Sequence, residues 1–140
     1  QNEIAYVAEK TAHMERRPRA LVIELLGKEI RSYGADTLAG DMMRALGAEH
    51  LAAEGQSLSM EELITLAPDA IFVVVIEDDY GNEDAILARL YENPALQDLM
   101  CVQQRRIYPI PLYAVYSAGI RTYDGITIFA HGLYPQIYGE

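Results

Sequence analysis

Ser59-Met60-Glu61-Glu62-Leu63-Ile64-Thr65-Leu66-Ala67-Pro68-Asp69-Ala70-Ile71-Phe72-Val73-Val74-Val75-Ile76 decides the class of fold. Ser59 and Glu62 have capping-box spacing, so a helix starts here and carries Leu63, Ile64 and Leu66. Pro68 has no N–H with which to extend that helix, and Pro68-Asp69 turns the chain. Residues 70–76 are then apolar at every position, too few for a buried helix, and rich in β-branched and aromatic side chains. A strand with no polar face is buried on both sides. That is the situation of a strand inside a parallel sheet covered by helices.

The same alternation extends outward from this stretch. Residues 3–14 place Ile4, Val7 and Ala8 at helical spacing without an N-cap and end at Glu15-Arg16-Arg17-Pro18, which predicts a helix and then a break. Residues 19–26 read as a strand. Residues 27–34, with Lys28, Glu29, Arg31, Ser32 and Tyr33 between two glycines, read as a loop or hairpin. Asp36 or Thr37 caps a helix running to Leu46 with Gly47 just past its end, and residues 50–53 form a short strand. Beyond the acidic loop at 77–81, a helix runs from Asn82 to about Tyr91, and Asn93-Pro94 opens another to Met100. Residues 106–110 make a strand, 111–119 a tyrosine-bearing loop, and 120–134 a helix stopped by Pro135. Strands separated by single helices imply right-handed crossovers. The expected fold is α/β: a three-layer sandwich with a mainly parallel sheet and helices on both faces.

A chain of 140 residues that is 51% hydrophobic fits one domain with a core of its own. The single Cys101 excludes an intrachain disulfide and leaves the compartment open. With 21 acidic against 11 basic residues, the formal charge of −10 disfavours nucleic acid or an anionic membrane as the main partner. No apolar run approaches the roughly 20 residues of a membrane span, and Gln1-Asn2-Glu3 is not the start of a signal peptide. A cleaved leader or further upstream sequence stays compatible with that start.

In parallel sheets ligands bind beyond the carboxyl ends of the strands. Those ends lead into residues 27–34, 77–81 and 111–119, which offer Arg31, Tyr33, Tyr80, Tyr113 and Tyr116, with Arg121 just inside the last helix. Aromatic faces with one or two guanidinium groups suit a bulky, partly apolar, anionic ligand. Packing at the ends of elements is the alternative role for the tyrosines. Signatures of catalysis are missing: there is no Gly-x-Ser-x-Gly, no Gly-x-Gly-x-x-Gly and no phosphate loop. His13, His50 and His131 are far apart and share no metal-ligand spacing with Cys101. The acidic run from Glu77 to Asp84 has Gly81 misplaced for a calcium loop and Arg89 at the closing position, so it reads as a solvated loop feeding a helix N-terminus. Cys101 follows an apolar helix and reads as buried.

Several motifs, in order, carry a resemblance. They are the helix Ala35-Asp36-Thr37-Leu38-Ala39-Gly40-Asp41-Met42-Met43-Arg44-Ala45-Leu46 with its turn Gly47-Ala48-Glu49-His50; Ser59-Met60-Glu61-Glu62-Leu63; Pro68-Asp69-Ala70-Ile71; Asn93-Pro94-Ala95-Leu96; Arg105-Arg106-Ile107-Tyr108; and Tyr134-Pro135. Together they resemble the C-terminal lobe of the substrate-binding proteins of ABC importers for ferric siderophores, haem and cobalamin. Ala48, His50 and the absence of tryptophan before the basic turn depart from the commonest family pattern. The resemblance implies two α/β lobes joined by a long helix, with the ligand between them and only one lobe present here. Residues 1–14 would then end the connecting helix, and residues 15–140 would form the C-terminal ligand-binding lobe. It also implies that Glu61 docks on the permease, that iron comes only inside a chelate such as a ferric siderophore, and that no metal site, cofactor or catalysis is expected. The location would be periplasmic or extracytoplasmic, with membrane contact only through the permease or a lipid anchor upstream. Haem and cobalamin receptors are the alternatives within the family. An intracellular α/β enzyme or regulatory domain binding a small metabolite is the alternative outside it.

Overall fold

The computed structural model describes residues 2–12, 17–26, 29–34, 37–51, 57–76, 79–112 and 120–137. Its elements are α1 (Asn2–Lys10), β1 (Arg19–Leu26), β2 (Glu29–Ser32), α2 (Leu38–Ala45), β3 (Glu49–His50), β4 (Ser57–Leu58), α3 (Met60–Leu66), β5 (Ala70–Val75), α4 (Glu83–Tyr91), α5 (Met100–Gln103), β6 (Ile107–Pro111) and α6 (Ile120–Leu133). Short 3₁₀ turns lie at Pro94–Leu96 and Pro135–Ile137. The strands form one sheet in the order β4-β2-β1-β5-β6, with β3 against the start of β1. The pairs β1·β3, β1·β5 and β5·β6 are parallel, whereas β2 lies antiparallel to both β1 and β4.

Alternation along the strands divides the core in two. Ala20, Val22, Ala70, Phe72, Val74 and Ile110 face α1, α2 and α6, where Phe129 meets the Phe72 ring edge-on at 4.8 Å. Leu21, Ile23, Ile71, Val73 and Ile107 face α3, α4 and α5 on the other side. All six residues of β5 are buried, as a strand covered on both faces requires. Each such side chain contributes roughly 1.5–3 kcal/mol by leaving water. Gly132 lets α6 approach the sheet, since a Cβ there would stand 2.6 Å from the Phe72 ring. Among the described residues, no helix is long and apolar enough to cross a membrane.

Three places differ from the sequence expectation. The strand expected at 50–53 is β3, one residue earlier, and 52–53 lie outside the described residues. Ser57 and Leu58, which carry no strand signal of their own, form β4 because β2 presents a free ladder edge to them. The helix expected from Asn93 to Met100 is a 3₁₀ turn followed by a separate short helix. Asn93 does cap the turn, its Oδ1 accepting the Ala95 N–H at 2.9 Å. Leu96 and Leu99, three residues apart, both face the core, and threefold winding achieves that.

The ends of the sheet carry distinct chemistry. At the amino edge of the parallel strands, three arginines each close the carboxyl end of a helix. Arg17 donates to Gly47 and Ala48 O at 2.9 Å each, beyond α2. Arg19 donates to Leu66 and Ala67 O at 2.9 and 3.2 Å, closing α3, and Arg106 donates to Gly132 and Leu133 O at 3.1 and 3.2 Å, closing α6. Each guanidinium satisfies carbonyls that the helix leaves unpaired and offsets the negative end of its dipole. The outer side of β6 is closed as well. Arg106 O accepts the Ile71 N–H at 3.1 Å, so by the alternation of a parallel ladder Ile107, Pro109 and Pro111 turn their backbone groups away from β5. The two prolines have no N–H to expose. Tyr91 serves Ile107, its hydroxyl accepting the N–H at 3.0 Å and donating to the carbonyl at 3.1 Å.

Candidate functional site

The carboxyl edge is built from the last residues of β1, β5 and β6. Antiparallel β2 shapes its first part. The chain turns back after β1, so Arg31 sits opposite Glu24 and the Tyr33 N–H donates to Val22 O at 2.8 Å. Residues 29–34 therefore lie back along β1 as the hairpin form of the expectation and not as a free loop beyond the strand. Tyr33 lies level with the middle of β1, half-buried against the α1/α2/α6 core, and its hydroxyl donates to Glu24 Oε1 at 3.1 Å. Alternating burial in β2, with Ile30 and Ser32 inside, dictates this return. Arg31 keeps about half of its side chain exposed and lies 3.6 Å from the Glu29 carboxylate. Glu24 thus bonds Tyr33 and stands opposite Arg31 in the ladder.

Tyr80 stands apart from these residues, on the α4 side of the sheet. It is 41% exposed and forms one wall of a 420 Å³ pocket with Val75, Glu83, Pro109 and Pro111. Asn82 makes no side-chain cap bond, and Glu83 folds back on the preceding turn, both of its carboxylate oxygens accepting the Gly81 N–H at 3.0 and 3.1 Å. Those bonds hold its carboxyl below the usual carboxylate range. A smaller cleft of 70 Å³ between the ends of β1 and β5 is lined by Glu24, Ile76, Asp79 and Arg89 among others. Tyr113, Tyr116 and the Arg121 side chain lie outside the described residues.

Glu61 is exposed in the first turn of α3. The capping box explains why it projects: Glu62 N–H donates to Ser59 Oγ at 3.0 Å and Ser59 N–H to Glu62 Oε1 at 2.8 Å, so Glu62 folds back while Glu61 does not. Arg19 closes the other end of α3 at the amino edge, which puts Glu61 toward the carboxyl edge. A larger hollow of 600 Å³ lies at the amino edge and is lined by Arg17, Arg19, Asp69, Asp98 and Arg106. Its guanidinium groups donate to helix carbonyls, with the buried Arg106 Nε left without a hydrogen-bond partner, and its carboxylates and three negative helix ends offset their charge. It is a seam of the fold and no match for an anionic ligand.

The remaining chemistry is structural. Cys101 is fully buried, and burial pushes its thiol up to about 11, far from a nucleophile's range. Among the described residues no group of three His, Cys, Asp or Glu could hold a metal ion. His13 lies outside those residues, and His50 and His131 lie on separate elements, β3 and α6. Sequence reasoning passed over Glu24, Glu83, Pro109 and Pro111. Glu24 carried a signal, being the single charge within the apolar residues 20–26. The other three meet only through the parallel pairing of β5 with β6.

Residues 1–114 match the family model of periplasmic binding proteins. No curated protein matches the chain. Among solved structures, a periplasmic binding protein from Veillonella parvula DSM 2008 superposes with a TM-score of 0.93 at 41% identity, covering 99% of this chain and 44% of that one. The periplasmic heme-binding protein RhuT from Roseiflexus sp. RS-1 gives a TM-score of 0.73 at 26% identity, covering 96% and 52%. An ABC-type Fe3+-hydroxamate transport system from Saccharomonospora viridis DSM 43017 gives 0.75 at 18%, covering 95% and 46%, a likeness of fold alone. The chain spans about half the length of these structures and forms one lobe of their two-lobe architecture. By family match and by fold, this chain belongs to the periplasmic binding proteins.

Proposed function

We propose that the chain is the C-terminal lobe of an extracytoplasmic receptor for an ABC importer, which captures an iron complex, a ferric siderophore, between two lobes and delivers it to the permease. The observation that carries this reading is the open carboxyl edge. Arg31 and Glu24 on one side and the Tyr80 pocket on the other leave polar and apolar surface exposed along the face where α/β lobes bind ligands. The haem-binding relative supports an iron-bearing cargo. Residues 1–14 are the end of the inter-lobe helix, and residues 15–140 are the lobe. Arg31, Tyr33, Tyr80, Tyr113, Tyr116 and Arg121 contact the ligand, and Glu61 docks on the permease. Iron travels only within its chelator, the protein performs no catalysis, and a lipid anchor or the permease provides its membrane contact.

A single lobe loses the enclosure that excludes water, so the isolated chain binds weakly. The test is equilibrium binding to the two-lobe protein by tyrosine fluorescence, with ferric siderophores, haem and cobalamin as separate cargoes. Submicromolar binding of a ferric siderophore supports the proposal. Binding of haem or cobalamin alone reassigns the cargo within the family, and binding of none by the folded protein overturns it.

A further inference from the structure

The Tyr80 pocket has a chemical bias of its own, and we infer that it is a subsite for a cationic amine arm of the cargo's chelator. The inference rests on the receptor function proposed above and adds which part of the cargo this lobe selects. At 420 Å³ the pocket falls within the size range of small-molecule sites, and it opens beside the ends of β5 and β6, continuous with the ligand edge.

Its walls are mainly apolar, with few groups that donate a hydrogen bond. Pro109 and Pro111 have no N–H, so that wall offers ring carbons and no backbone donor. An oxyanion needs several donors, which this wall does not supply. Among the described residues lining the pocket, Glu83 carries the one formal charge. Its carboxylate is held in place by the Gly81 N–H through both oxygens. The same bonds lower its pKa, so it is ionised at neutral pH. The positive end of α4 opposes this charge by about half a unit, and Glu83 with Asp84 in that first turn outweighs it. Tyr80 adds an exposed aromatic ring. An aromatic face, a fixed carboxylate and a wall without backbone donors together are the surroundings that favour an ammonium group.

Ferrioxamine B, a ferric trihydroxamate ending in a primary ammonium, and its N-acetyl derivative share one metal centre and differ in that charge. Titrated into the two-lobe protein, the ammonium form is expected to bind about tenfold tighter or more. Glu83→Gln is expected to bring the ratio close to one while leaving the N-acetyl affinity in place, and Tyr80→Leu to reduce it in part. Because the readout is a ratio within each variant, a partly unfolded preparation weakens both complexes alike and leaves it unmoved. Equal affinities in the parent protein, or a ratio unchanged by Glu83→Gln, overturn the subsite while the receptor function stands. Failure of both complexes overturns it too. The cargo panel then separates a receptor for another ligand from no receptor at all.

Discussion

Tyr91→Phe removes one oxygen and with it both partners of Ile107 on the outer side of β6. The ring remains, and the Arg105 guanidinium, 4.2 Å from its centroid, keeps its stacking partner. Ile107 is 3% exposed, so water does not simply take over its N–H and carbonyl. Each lost hydrogen bond costs about 0.5–1.5 kcal/mol net, and more where the abandoned group stays dry, which gives a loss of about 1.5–3 kcal/mol. At roughly 3 °C per kcal/mol for a chain of this size, the melting point falls by about 5–9 °C. Burial also raises the Tyr91 pKa. The hydroxyl's contribution is therefore complete below the ordinary tyrosine range and fades as pH rises through the elevated value. Urea unfolding of both proteins at neutral pH, followed by far-UV circular dichroism, reads the effect as a lower midpoint at unchanged slope. A loss below about 0.5 kcal/mol refutes the argument, because solvent would then be replacing the hydroxyl and the edge would not be sealed by it.

Gly132→Ala puts a methyl 2.6 Å from the Phe72 ring, so overpacking should cost about 1–3 kcal/mol in the same assay; an unchanged midpoint would mean that α6 shifts freely. Ala67 holds the left-handed conformation at φ 46°, and Ala67→Gly should stabilise the chain by about 0.5–1 kcal/mol. Arg105, at φ 54°, should show no such gain with glycine, since the stacking on Tyr91 is lost. Cys101 should resist a thiol reagent at pH 8 and react only at the rate of unfolding; its raised pKa predicts stability intact below about 9 and lost as pH rises toward about 11. Glu61→Arg should leave ligand affinity intact and abolish uptake or ligand-stimulated ATP hydrolysis by the importer, and unaffected transport would remove its docking role.

The local signals in the sequence translated directly into structure. Thr37 caps α2, with Gly47 at φ 80° past its end, and the Ser59–Glu62 box starts α3. The apolar residues of β5 occupy the buried centre of the sheet. Where the reading stayed open, the deciding contact was remote in sequence. Residues 27–34 read as a loop or a hairpin, and the hairpin is chosen by Ile30 reaching Leu58 and by the burial of one face of β2. Tyr33 consequently orients Glu24, a residue that stood unnoticed inside an apolar strand.

By itself the sequence determined the α/β class, the positions of most helices and strands though not of β4 or of the turn at Pro94–Leu96, and membership of a binding-protein family. Capping, proline stops and hydrophobic period are decided within about four residues, so they survive reading one residue at a time. The tertiary structure alone decided which loops and side chains share the carboxyl edge. Pairing Val75 with Pro111 brings Tyr80, Glu83 and two N–H-less prolines around one pocket, and the reversal of β2 carries Tyr33 away from it. Both follow from strand register, which is set by burial of faces across tens of residues and leaves no mark at the positions it brings together.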